Sequence, residues 1–203
     1  MNELKPTKFI TRQHGDNLRK AWMHCAHYGF PLNAAFTIHF AVAGLRGHYI
    51  KGRQTVYQRL RKWLQSHGAD IFACGWVMES SPQGKDAHLH GAVHLPDNIM
   101  TDDLCDFLNG VVGGFENAVD VRPVNDNGWL RYMLKGCHQD DYEYFNIRRK
   151  HRKAQGIIWG KRCGVSQAID SSERNARIDH KRTLTELQIA KRRSNLLEPL
   201  TAE

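Results

Sequence analysis

His88 and His90 stand either side of Leu89 in "AHLHGAVHLP" (87–96), and His94 follows four positions later. Alternate side chains of a strand share a face, so the two imidazoles point the same way from Cα atoms roughly 6.6 Å apart, a span that can hold one ion. His94 shares that face but starts roughly 13 Å from His90, too far to ligate the same ion. Glu79 lies nine residues before His88. A hairpin register that sets it opposite His88 would add a carboxylate oxygen, and a slip of one residue would turn it away. Two imidazoles and one carboxylate leave coordination positions open, and the mixed N/O set suits Mn²⁺ or Mg²⁺ as well as Zn²⁺. An HxH pair by itself is ordinarily no more than two hydrogen-bonded histidines; Glu79 is what raises it above that.

A second group of reactive side chains follows in "RYMLKG" (131–136), where Tyr132 and Lys135 lie three apart on one helical face. With a pKa near 10, a tyrosine acts as a nucleophile at neutral pH only beside positive charge or a proton acceptor, which an ion and a lysine could supply. Tyr142 and Tyr144 in "DDYEYF" are alternative tyrosines without a lysine at that spacing. Arg131 and Lys135 form an i,i+4 basic pair that fits phosphate contact. There is no HExxH helix and no GxxxxGK[ST] loop, so neither zinc protease nor helicase chemistry is indicated.

These residues need elements to hold them. "AAFTIHFAV" (34–42) reads as a strand, with Gly44 and Gly47 marking the turn after it. "RQTVYQRLRKWLQS" (53–66) places Val56, Leu60, Trp63 and Leu64 at helical spacing against a basic face, and Gly68 closes it. "DIFACGWVMES" (70–80) is a second strand, Pro82 and Gly84 a hairpin loop, and the histidine stretch the returning strand. A helix starting at a capping Thr101, a strand over 117–124 and a helix from about Asn127 to Gly136 complete the series. The order is that of an α+β, ferredoxin-like (split βαβ) antiparallel sheet with helices on one face. The expected organisation is a 1–30 N-terminal extension packed on the domain, a 31–145 catalytic domain, and a 146–203 basic extension made of a loop and a helix.

Charge follows the same division. Residues 1–100 carry 12 basic and 6 acidic side chains, residues 101–145 carry 3 and 9, and residues 146–203 carry 14 and 6. A basic end beside an acidic middle favours a polyanionic partner. Within it, Arg148, Arg149 and Lys150 are candidates for DNA-backbone contact. The five cysteines include no CxxC pair and read as reduced thiols of a cytoplasmic protein, and no apolar run has membrane-spanning length.

"FTIHF" (36–40), the Glu79 of "VME" followed nine residues later by "HLHG", and "YMLK" (132–135) together resemble the three motifs of HUH endonucleases. The likeness is strongest to the rolling-circle replication initiators of plasmids, phages and small single-stranded DNA viruses. It covers residues 36–136, with "GIIWGKRCGVS" (156–166) a weaker match. The resemblance implies an HUH-type fold and a metal-dependent nickase and religase. In that reading Glu79, His88 and His90 hold Mn²⁺ or Mg²⁺, Tyr132 forms a 5′ phosphotyrosine and Lys135 steadies charge at the phosphate. It also implies single-stranded DNA at a replication origin, hairpins included, as substrate, with a host helicase and replication machinery as further partners in a bacterial cytoplasm. His39 is expected in the pocket, on DNA or at the core edge, and His94 on DNA or hydrogen-bonded. Alternatives are a single-tyrosine HUH transposase and a non-catalytic nucleic-acid-binding module. A single motif tyrosine departs from two-tyrosine initiators and leaves open how a second strand transfer is performed.

Overall fold

The computed structural model describes residues 4–45, 47–84, 86–179, 185, 186 and 188. In chain order the principal elements are β1 (Pro6–Thr7), α1 (Arg12–His27), β2 (Ala34–His39), α2 (Tyr49–Ser66), β3 (Cys74–Ser80) and β4 (Ala87–Val93). They continue with α3 (Thr101–Val112), β5 (Val119–Pro123), α4 (Gly128–Met133), β6 (Ile158–Trp159) and β7 (Cys163–Val165), and residues 171–179 are helical. Among the described residues no helix is long and apolar enough to cross a membrane.

The fold is α+β. Five strands form one sheet in the order β5-β2-β4-β3-β7, every neighbouring pair antiparallel. Counted as the first to fourth strands of a split βαβ unit, β2, β3, β4 and β5 stand in the order fourth, first, third, second, which is compatible with a ferredoxin-like arrangement. One face carries Phe36, Ile38, Trp76, Met78, Leu89 and Val93, packed against Val56, Leu60 and Leu64 of α2 and Leu104, Leu108 and Val112 of α3. Gly91 sits between Phe36 and Trp76 in the strand register, and a Cβ there would lie 2.0 Å from Phe36 Cζ. The ring therefore needs the missing side chain in order to lie flat on the sheet.

Helices do not keep to one face, contrary to the expectation from the sequence. Leu18, Ala21, Trp22 and Cys25 follow the i, i+3, i+4, i+7 spacing of an apolar stripe, and α1 buries them with Val77, Ala92 and Cys163 on the other side of the sheet. Leu130 and Met133 of α4 join that second core. The reason is that these strands present small or apolar side chains on both faces near one end, and only the other end of the second face is polar.

Other boundaries move for identifiable causes. Residue Thr101 is the first helical residue rather than the cap; Met100 holds the cap position and its N–H donates to Asp103 Oδ2 at 2.9 Å. α2 starts at Tyr49, ahead of the expected Arg53, and the Tyr49 hydroxyl accepts the Trp159 N–H at 2.9 Å. The segment after residue 145, expected as a basic loop, supplies β6, which pairs with β1, and β7, which edges the main sheet. Of the basic helix expected over 177–197, residues 177–179, 185, 186 and 188 are helical and the rest lies outside the described residues.

Candidate active site

The polar end of the second face is built by register. Glu79 on β3 and His39 on β2 both pair with His88 on β4, and one step along the sheet Val77 and Thr37 pair with His90. The β3–β4 hairpin thus has the register that puts Glu79 on the face of the histidines. Its carboxylate reaches diagonally, Oε2 lying 2.7 Å from His90 Nε2, and the other ring nitrogen, Nδ1, is 3.0 Å from the Thr37 hydroxyl. An ionised Glu79 accepts from Nε2–H, so Nδ1 of the neutral ring accepts from Thr37.

Lys135 meets the same carboxylate oxygen, Nζ to Oε2, at 2.6 Å. α4 ends at Met133 and tightens into a 3-10 turn over Leu134–Gly136, which brings Lys135 under the helix and into the sheet face, 8 % exposed. Its Nζ lies 3.3 Å from the centroid of the Tyr132 ring. That ring stands edge-on to His90 at 5.2 Å and to His151 at 5.3 Å, and stacks on Trp129 at 5.1 Å. The Trp129 indole N–H donates to the Gly91 carbonyl at 3.0 Å and pins α4 to β4.

Electrostatics set the protonation states. Burial alone would raise the Glu79 pKa, but the His90 hydrogen bond and the Lys135 charge outweigh it and hold the carboxyl down to about 2. Burial, followed by the neighbouring His39 and His90, pushes His88 down to about 4. Burial likewise lowers His90, against the pull of the Glu79 hydrogen bond. At neutral pH Glu79 is ionised and His88 and His90 are neutral, the forms that ligate a cation.

The structure gathers Glu79, His90, Tyr132 and Lys135 closely. His88 shares the face but leans on His39, ring centroids 4.3 Å apart, and lies 6.1 Å from His90. Among the described residues no three carboxylate, imidazole or thiol side chains are gathered around one ion-sized position. The other candidates sit elsewhere. His94 Nδ1 is 2.9 Å from the Pro31 carbonyl oxygen, beyond the end of β4. Arg131 lines a groove between α4 and α1 rather than the sheet face that holds Tyr132. Arg148, Arg149 and Lys150 are exposed on the turn that carries His151. The alternative tyrosines are occupied apart from the histidines: the Tyr144 hydroxyl donates to Asp16 at 3.0 Å, and Tyr142 packs in the second core under Arg152.

Thr37, Trp129 and His151 were not singled out by spacing. Thr37 was visible within "FTIHF", but its role follows from the pairing of β2 with β4. Trp129 precedes Tyr132 by three, a stacking distance on a helix. His151 carries no local signal. No protein-family model, curated protein or solved structure matches the chain.

Proposed function

We propose that the chain is an HUH-type, site-specific single-stranded DNA endonuclease that nicks and rejoins DNA through Tyr132 and so initiates rolling-circle replication. The observation that carries this reading is the meeting of Tyr132 with His90, Lys135 and Glu79 on one sheet face, from three separate elements.

In the nicking step the Tyr132 oxygen attacks phosphorus in line, one P–O bond forms, and the bond to the 3′ oxygen breaks. The phenolic proton is lost and the departing 3′ oxygen gains one, so a phosphodiester becomes a phosphotyrosine ester. Ester exchanges for ester, and the reverse step rejoins the strand without a nucleotide cofactor. Lys135 places positive charge against the ring and steadies charge at the phosphate. Trp129 and His151 fix the ring on its other sides. Glu79, His88 and His90 would hold Mn²⁺ or Mg²⁺, whose contribution when bound is to polarise the phosphate oxygens. Their donor chemistry fits, and the Thr37 hydroxyl, which both donates and accepts, lets His90 present either tautomer. Arg148, Arg149 and Lys150, exposed on the turn whose His151 meets the tyrosine ring, would take the DNA backbone, strand separation falling to supercoiling or a host helicase in the bacterial cytoplasm.

Incubation with single-stranded candidate origin DNA and Mn²⁺, followed by denaturation, is expected to give a covalent protein–DNA band. Tyr132→Phe is expected to lose it, Tyr144→Phe to keep it, and chelation to abolish it. A band from Tyr132→Phe would remove the nucleophile, and a band without divalent ion would remove the ligand assignment. One observation favours a second reading, a non-catalytic nucleic-acid-binding module: Lys135 already satisfies the Glu79 carboxylate. That reading predicts DNA binding and no band under any condition.

A further inference from the structure

On the far side of α4 from Tyr132 lies a groove of about 1400 Å³, walled by α1, α4, the 142–146 loop and the helix at 171–179. Its wall is part apolar, with Met23, Leu130, Leu134 and Ile178, and part cationic, with Arg19, Lys20, Arg131 and Arg174. Glu186 is the one acidic side chain among the described lining residues. Two of the cations are engaged internally. Arg19 pairs with Asp16 at 2.8 Å, and Arg174 donates to Asn17 Oδ1 at 2.7 Å and to the Ile169 carbonyl at 2.6 Å. Among the described residues neither Lys20 nor Arg131 has a carboxylate partner.

Hydrogen-bonding capacity inside the groove is also unspent. His24 is only 7 % exposed, yet its Nε2 has no hydrogen-bond partner, and Arg131 Nε is buried without one. Buried polar atoms of folded proteins are ordinarily paired, so two orphans in one groove mark the place of a ligand. His24 packs on Tyr28 at 4.4 Å with the rings tilted by 37°, which gives the groove an aromatic wall beside the orphan nitrogen.

We infer that this groove is a second binding site for single-stranded DNA, with Lys20 and Arg131 on phosphates and bases packed against the apolar wall near His24. Cations without counterions favour a polyanion, and an apolar, aromatic surface between them favours one with unpaired bases over an acidic peptide. The site adjoins the proposed nucleophile: Arg131 and Tyr132 are consecutive on α4, roughly 100° apart around its axis, and Arg131 lines the groove while Tyr132 packs on the sheet face. The choice of DNA rests on the nicking reading, but the test is one of binding.

The full chain is titrated into a fluorescein-labelled single strand of mixed sequence and followed by anisotropy. Lys20→Glu/Arg131→Glu is compared with Lys51→Glu/Lys62→Glu, an equal charge change on exposed lysines of α2 across the sheet. The groove pair is expected to lose about tenfold or more in affinity and the α2 pair less than about twofold. The salt slope of log K should fall by about 1.4 for two lost phosphate contacts. Lys20→Gln/Arg131→Gln repeats the measurement without introduced negative charge, with thermal melts to verify folding. Equal losses in both pairs, no loss in the groove pair, or displacement by polyglutamate as effective as by unlabelled DNA would overturn the assignment. The two readings fail separately: no covalent band with groove binding intact removes only the nicking, and wild-type affinity and band in the groove variant remove only the groove.

Discussion

Glu79 is the residue on which the site turns, since one oxygen of its carboxylate takes both His90 and Lys135. Its folded pKa, about 2, lies below the unfolded carboxylate value, so its stabilising contribution is present above pH 4.5 and is lost as pH falls toward 2. The amount is on the order of 3 kcal/mol. His88 has the same sign for the opposite reason. Its folded value of about 4 is below 6.5, the unfolded chain binds the extra proton between them, and stability falls as pH drops through that window. Thermal melts in chelator should therefore decline in two stages, the upper one flattened in His88→Gln and the lower in Glu79→Gln. An upper stage unchanged in His88→Gln would show that His88 is not held neutral. A double-mutant cycle of Glu79→Gln and Lys135→Met tests the ion pair itself: Lys135→Met alone is expected to cost about 3 kcal/mol because it strands a buried carboxylate, and the double variant to recover part of it. Additive losses would mean the pair is not coupled.

At the scale of elements, the site depends on β4 holding its register between β2 and β3, and the Phe36–Gly91–Trp76 row enforces that register from the opposite face. Gly91→Ala drives a methyl into the Phe36 ring, and the expected loss is about 1 to 3 kcal/mol in urea unfolding. Because Gly91 follows His90 and its carbonyl anchors Trp129, the same variant should lose covalent-band yield beyond what its stability explains. Retained stability would mean that Phe36 can move aside. What could be read from the chain divides along this line. The hairpin that sets Glu79 opposite His88 is local, and so was visible in the spacing of "VMES" and "HLHG". The helical pair Tyr132 and Lys135 is local too. The contacts of His39 with His88 and of Thr37 with His90 require pairing across about fifty residues, and no periodicity encodes which strand becomes the neighbour. The packing of residues 1–30 on the domain was expected, but the cover that α1 gives the second face follows from small or apolar side chains on three distant strands.

For the whole molecule, the two ends of the described chain are part of the fold. β1 pairs with β6, the Thr7 hydroxyl donates to the Gly160 carbonyl at 2.7 Å, and the buried Arg162 guanidinium donates to the Thr7 and Gly156 carbonyls. Ile158 belongs to one core, and Cys163 and Ile169 to the other. A chain ending at residue 155 is expected to lack cooperative unfolding and amide protection in β3, although Glu79, His88, His90, Tyr132, Lys135 and His151 are all retained. Native-like protection in that truncated chain would show that the late strands are dispensable.

The pairing of first and late strands also orders events during synthesis. Tyr132 leaves the ribosome before Cys163–Val165 can edge the sheet, and translation of the intervening residues takes about 2 to 7 s. Through that interval the outer edge of β3 has no strand to pair with, so the nascent chain carries Tyr132 while the strand that bears Glu79 still has an open edge. On the proposed function, cutting by Tyr132 would follow the synthesis of Cys163–Val165 and so come late in the life of a nascent chain.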